Sequence, residues 1–206
     1  MKISLSDAGK RFNRDWIFRK FNYSFESGNA YAITGANGSG KSTLLQVIGG
    51  AMSLSIGSID FHVRGKAIDQ ELAFQEVSMA APYMELIEEM TGFEFLEFHN
   101  KFKPFLPGKT VTEILREVQL TSSATKQIRN YSSGMKQRVK LAQAIFSDTA
   151  CILLDEPCTN LDMDGINLYK ELVAAYTGNR MLIVSSNDTQ EYGFCKEIIK
   201  IENYKN

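Results

Sequence analysis

The sequence predicts an α/β domain with an open sheet, a small antiparallel β portion at its N-terminus and a helical insertion near its middle. Three observations carry this. Apolar runs at Tyr31 to Thr34, Cys151 to Leu154 and Met181 to Val184 are each followed by a loop rich in Gly, Ser, Asn or Asp. Open α/β sheets place ligand loops in this way, at the carboxyl ends of buried strands. Before them, Lys2 to Leu5, Ile17 to Arg19 and Tyr23 to Phe25 read as short strands separated by turns. Between them, residues 83–130 carry a helical pattern: Leu86, Met90, Phe93 and Leu96 recur among glutamates, and Val111, Ile114, Leu115 and Val118 repeat the spacing.

A chain of 206 residues fits one domain, 1–206, with residues 83–130 as a helical subdomain inserted within it. Five phenylalanines in that insertion, Phe93, Phe95, Phe98, Phe102 and Phe105, serve either core packing or a docking surface. Lys and Arg number 23 against 24 Asp and Glu, so no global field recommends nucleic acid as a partner. Cys151, Cys158 and Cys195 are odd in number and lack zinc spacing, which suits a reducing compartment and free thiols packed in or beside a core. The start, Met1-Lys2-Ile3-Ser4, lacks the apolar stretch of a signal peptide, and no window is long enough to span a bilayer. Membrane association is therefore expected through a protein partner.

Gly35-Ala36-Asn37-Gly38-Ser39-Gly40-Lys41-Ser42 fits the pattern G-x-x-x-x-G-K-S between a strand ending at Thr34 and a helix beginning near Thr43. Glycines let the backbone curl so that successive N–H groups, including those at Gly38, Ser39, Gly40 and Thr43, turn toward phosphate oxygens. Lys41 is suited to neutralise terminal phosphates and the Ser42 hydroxyl to ligate Mg²⁺, so the implied ligands are ATP and Mg²⁺. Downstream, the run Cys151 to Leu154 ends in Asp155-Glu156-Pro157. Asp155 is suited to hold the metal, and Glu156, one residue on, to polarise a water for in-line attack. Ser132 is a plausible N-cap, and Ser133 and Gly134 with the amides behind them would make a second anion site.

Together these segments resemble the nucleotide-binding subunit of an ABC transporter, a P-loop NTPase with an ABC-type helical insertion, from Leu5 to about Ile199. The resemblance makes Gly35 to Ser42 the Walker A loop and Ile152 to Asp155 the end of the Walker B strand. Glu156 becomes the catalytic glutamate, and Asp162 the aspartate of the D-loop. Tyr131 to Met135 resembles the signature loop, whose consensus reads Leu-Ser-Gly-Gly-Gln. Ser132 and Gly134 are kept, while Tyr131, Ser133 and Met135 are replacements. It implies a head-to-tail dimer, as a homodimer or with a related subunit, and a transmembrane subunit as partner. The location implied is cytoplasmic, peripheral on the inner face of the cell membrane. Phe12 lies where an aromatic commonly stacks on adenine, with Trp16 as its rival.

Two departures stand out. Pro82 lies at or beside the place of a family glutamine that contacts the metal, and Gln75 precedes the strand. Asn187 replaces the family histidine; its amide can hydrogen-bond to a phosphate or a water but cannot take a proton at neutral pH. His62 and His99 lie far from these loops in sequence and read as ordinary surface or satisfied residues. The leading function is ATP hydrolysis driving transport through separate transmembrane subunits, and short bacterial exporter subunits share its length and compact insertion. The alternatives are a nucleotide-gated subunit with little hydrolysis, and a soluble ABC-type ATPase without a transport role.

Overall fold

The chain opens with a long antiparallel hairpin, β1 (Lys2–Phe12) and β2 (Asp15–Glu26), where three short strands were expected. Asn13 turns the chain at φ +54°, a left-handed conformation that Asn tolerates better than most residues. The computed structural model describes residues 1–205. After the hairpin come β3 (Ala30–Thr34) and α1 (Lys41–Ile48), then β4 (Ile56–Val63) and β5 (Lys66–Ile68). β4 pairs antiparallel with β1, completing a four-stranded sheet ordered β2-β1-β4-β5.

The short α2 (Ala73–Glu76) leads into β6 (Val77–Ala80). The helices α3 (Gly92–Phe102), α4 (Val111–Glu117) and α5 (Ser133–Phe146) follow. The chain then alternates β7 (Cys151–Asp155), α6 (Met163–Tyr176), β8 (Met181–Ser185), α7 (Thr189–Tyr192) and β9 (Glu197–Lys200), and closes on a 3-10 turn at Ile201–Tyr204. β6-β7-β8-β3-β9 form an all-parallel sheet in that order.

Apolar residues without alternation fit strands buried on both faces, and β3, β7 and β8 each divide their side chains between two cores. Ile152, Leu154, Leu182, Val184 and Ala32 pack with α5, α6 and the helical insertion. Cys151, Leu153, Met181, Ile183, Tyr31 and Ile33 pack with α1 and the antiparallel sheet. Fully burying a side chain of this size contributes on the order of 1.5–3 kcal/mol, so the two cores hold the central sheet rigid from both sides.

The insertion departs from its helical reading at one place. Residues 82–90 form turns and irregular backbone, and α3 begins only after Thr91. Thr91 Oγ1 accepts the Glu94 N–H at 3.1 Å and Glu94 Oε2 accepts the Thr91 N–H at 2.8 Å, a capping box that fixes the start of the helix. The preceding segment is pinned by other contacts: Lys136 donates to Glu88, and the Ile128 and Arg129 amides donate to the carbonyls of Met90 and Glu88. Its phenylalanines divide. Phe95 and Phe105 are buried, whereas Phe93, Phe98 and Phe102 are exposed.

The strand order decides where the loops go. β7, β8 and β3 are neighbours, and Asp155 pairs with Ser185 while Ser185 pairs with Ile33. The glycine-rich loop after β3, the acidic pair ending β7 and Asn187 after β8 therefore leave the sheet side by side.

Candidate functional site

The glycine-rich loop runs from Gly35 to Gly40, and Lys41 already belongs to α1, two residues before the expected start. Gly40 sits at φ +104°, and a Cβ there would collide with Ile17, so both backbone and space require glycine. Lys41 is buried, and its Nζ donates to the carbonyls of its own loop, Gly35 at 2.8 Å and Ala36 at 3.3 Å. Asn37, Gly38, Gly40, Lys41, Ser42 and Thr43 line one recess of about 230 Å³, together with Ile17 and Glu156. The amides of the first helical turn lack intrahelical acceptors, so this recess offers N–H donors and a buried ammonium to an anion.

Asp155 and Glu156, adjacent in sequence, sit in different surroundings. Asp155 is only 2 % exposed, and its Oδ1 has no hydrogen-bond partner among the described residues. The buried Oγ atoms of Ser39 and Ser185 lack partners as well. Leaving a buried polar atom unpaired costs about 1–3 kcal/mol, and these three lie in the glycine-rich loop and at the carboxyl ends of β7 and β8, where polar ligand atoms would satisfy them. A carboxylate and a hydroxyl, as Asp155 and Ser42 offer, are the hard oxygen donors that Mg²⁺ takes when phosphates and water supply the rest, so these residue types fit that ion. Glu156 turns the chain at φ +43°, a left-handed conformation costing roughly 1–2 kcal/mol. Its N–H donates to Ser185 O at 2.8 Å, which holds its side chain at the rim of the recess and out of the strand line.

Asn187 lies directly against the loop. Its Oδ1 accepts the Gly35 N–H at 3.1 Å and its Nδ2 donates to Asn37 Oδ1 at 3.2 Å. Phe12, 47 % exposed, ends β1 opposite Asp15, with the Lys10 ammonium 5.4 Å from its ring centroid, and is not among the residues lining the recess. Trp16 pairs instead with Arg11 and packs over Gly9, with the guanidinium groups of Arg11 and Arg19 at 5.5 and 6.0 Å from its ring.

The second anion-suited helix start lines a separate recess. Ser132 Oγ caps α5 by accepting the Met135 N–H at 3.2 Å. Ser132, Ser133, Gly134 and Met135 border about 410 Å³ with Asn160 and Asp162. Gln137 on α5 donates to Pro157 O at 2.7 Å, so the loop after the acidic pair is tied to this helix. None of the residues lining this recess lines the first. Tyr131, where the consensus has leucine, donates its hydroxyl to Ser123 O at 2.6 Å, and the absence of a Cβ on Gly92 leaves room for it.

Three contributors were missed in the sequence. Tyr83 follows Pro82 close to Gln46 and Asp155; partial burial raises its phenol pKa, the Gln46 hydrogen bond opposes that, and the Asp155 charge adds to it. Pro82 itself offers only a carbonyl, which accepts from Lys140 of α5 at 2.8 Å. Glu191 is buried and accepts the Cys158 N–H at 2.7 Å, linking α7 to the loop beyond Glu156. Burial raises its carboxyl pKa above the usual range, and the charges of Asp188 and Glu156 push the same way. Glu202, in the last turn, accepts the Ala36 N–H at 2.7 Å. Residues 35 to 43 announce themselves by pattern, whereas these three act across long separations and carry no local signal.

A family model described as "ABC transporter" matches residues 18–159. An uncharacterized ABC transporter ATP-binding protein, YybJ of Bacillus subtilis, is 28 % identical over 172 residues, which cover 83 % of this chain and 78 % of that protein. Among solved structures, a putative ABC transporter ATP-binding protein from Pyrococcus furiosus superposes with a TM-score of 0.84 at 19 % identity, each chain fully covered. The ATP-binding cassette MJ0796, solved as a dimer in a post-hydrolysis state with ADP and Pi, gives 0.80 at 22 % identity over 97 % of this chain and 94 % of its own. The structural likenesses speak for the fold. The family model, spanning more than half of the sequence and including both the glycine-rich loop and the acidic pair, settles the rest: the chain belongs to the ABC transporter family, as an ATP-binding subunit.

Proposed function

We propose that the chain hydrolyses ATP with Mg²⁺ and that its opening and closing drives transport through separate transmembrane subunits. The observation that carries this reading is that Lys41 and Glu156 line one recess, with the buried, partnerless Asp155 Oδ1 on the residue immediately before Glu156. Lys41 and the loop amides bind and orient the phosphates, while Phe12 flanks the adenine. Asp155 and Ser42 hold the metal, which when bound offsets charge on the terminal phosphate oxygens. Glu156 accepts the proton of the attacking water, and Asn187 positions that water or a phosphate oxygen by hydrogen bonding.

The separation of the two recesses supports a head-to-tail dimer in which Ser132, Ser133 and Gly134 of one copy meet the phosphate held by the other. Residues 83–130 act as the helical subdomain of a single domain, 1–206. Its exposed ring pair, Phe98 and Phe102, 5.0 Å apart, supports docking of a membrane subunit. Phe74 is also exposed, and its carbonyl is held by Lys103 at the end of α3. Among the described residues no helix is long and apolar enough to cross a membrane. A cytoplasmic position, peripheral on the inner face through that partner, follows from this proposal. Asn187 favours a second reading, a nucleotide-gated subunit with little hydrolysis, because its amide cannot relay a proton.

Phosphate release by the purified chain, with and without membranes containing its co-purifying partner, distinguishes the two. Magnesium-dependent release stimulated by those membranes, and reduced by Glu156→Gln about 100-fold or more, is the expected result. Equal release by wild type and Glu156→Gln would remove the hydrolytic role, and tight ATP binding without release would favour the gated subunit.

A further inference from the structure

The C-terminal turn packs onto the phosphate loop, and the register of the sheet explains how. β9 lies beside β3 with Thr34 opposite Lys200, so the next residues of the two chains, Gly35 and Ala36 on one and Ile201 and Glu202 on the other, continue side by side. Ile201 is fully buried, and Tyr204 packs at a tilt against Phe21 of β2 with ring centroids 4.5 Å apart. These two anchors hold the exposed Glu202 between them. Its Oε1 accepts the Ala36 N–H at 2.7 Å. A Cβ placed on Gly35, at φ +152°, would lie 2.7 Å from the same oxygen and 2.7 Å from Ile201 Cγ2, so the contact is close on both residues that open the loop.

Asn187 already holds the Gly35 N–H from the other side. The two consecutive amides at the start of the loop are therefore both tied to side chains, one from the loop after β8 and one from the last turn. We infer that Glu202 is a positioning residue for nucleotide binding: it fixes the entry of the phosphate loop so that binding does not bear the cost of ordering it. The inference rests on the reading of this loop as the ATP site. Ala36 supplies a backbone donor that a proline at this position would lack, and Glu202 is the acceptor that uses it. The partial charge on an ordered backbone N–H favours a carboxylate, and the Ala36 N–H, with Lys41 nearby adding a smaller effect, lowers the pKa of the Glu202 carboxyl.

The test is titration of the purified chain with a fluorescent ATP analogue and with ADP, alongside steady-state hydrolysis and thermal melting. Glu202→Ala is expected to weaken both nucleotides roughly 3–10-fold and to raise KM in proportion, with kcat at saturation unchanged, the size expected for an exposed charge-assisted hydrogen bond. Glu202→Gln keeps a carbonyl acceptor and is expected to bind within about twofold of wild type. Glu202→Ala binding as tightly as wild type, or tighter, overturns the inference, as does a lowered melting temperature with unchanged affinity. Wild type failing to bind either nucleotide would remove the ATP-site reading and this inference with it, whereas normal wild-type binding with an indifferent Glu202→Ala removes the inference alone.

Discussion

At the scale of single residues, burial separates groups that titrate from groups that hold structure. His99 donates to or accepts from Ser147 Oγ at 2.9 Å and stacks on Phe105 with centroids 5.5 Å apart. Burial, with a smaller effect from the charge of Lys103, pushes its pKa down to about 4. The unfolded chain therefore binds more protons than the folded chain between the ordinary histidine value of about 6.5 and that lower value. Stability from this group is full above about 6.5 and is lost as pH falls through about 4. Chemical denaturation of wild type should show roughly 2 kcal/mol less stability at pH 5 than at pH 7.5 from this source, and His99→Gln should flatten that difference. A pH dependence unchanged in His99→Gln would place the titrating group elsewhere. His99 could be read in the sequence as a satisfied residue, because a lone histidine on a helix with apolar neighbours is ordinarily that. Glu191 and Glu202 could not be read, since their partners lie 33 and 166 positions away in sequence and meet them only on folding.

Elements are set by their ends as much as by their periodicity. The spacing of Leu86, Met90, Phe93 and Leu96 fits a helix throughout, yet only the part after Thr91 forms one. The spacing survives because the irregular stretch before it also packs apolar side chains, Leu86 and Met90, against the helical core. The deciding signal was the Thr91 and Glu94 pair, a start signature that outranks apolar spacing upstream of it. Thr110 and Glu113 open α4 in the same way. Thr91→Ala removes the side-chain acceptor and is expected to cost about 1 kcal/mol in denaturant unfolding, with Thr91→Ser largely restoring it. A loss no larger than a few tenths would mean that the contacts of residues 83–90 alone set this helix start. The strands were easier to read: β3, β7 and β8 extend the expected apolar runs by only one residue each, because a strand buried on both faces shows a continuous apolar signal.

For the whole molecule, the proposed head-to-tail dimer divides the site between two copies. The phosphate recess and the recess at Ser132 to Met135 have different linings, and closure between two copies is the arrangement that would bring them to one nucleotide. Glu156→Gln with ATP and Mg²⁺ is expected to sediment as a dimer and to return to monomer when nucleotide is removed. Monomer at every concentration would count against the head-to-tail arrangement. The fold class and the glycine-rich loop were legible because strand, loop and helix are contiguous in sequence. The neighbourhood of Gly134 and Asn160, and of Gln137 and Pro157, was not, since it depends on how α5 crosses the sheet.

β8 has one further consequence. It is hydrogen-bonded on one side to the strand that delivers Lys41 and on the other to the strand that delivers Glu156. Its width, about two inter-strand steps of 4.7–4.9 Å from β3 to β7, is the gauge that sets how far the Lys41 loop stands from the Glu156 loop. Loops around the sheet can lengthen without altering that gauge. A single residue removed from β8 would exchange Leu182 and Val184 for Met181 and Ile183 between the two cores and draw Ser185 back from both neighbours at once. This five-residue strand therefore has little freedom to drift, although Ser185 is its only residue among the partnerless groups described above.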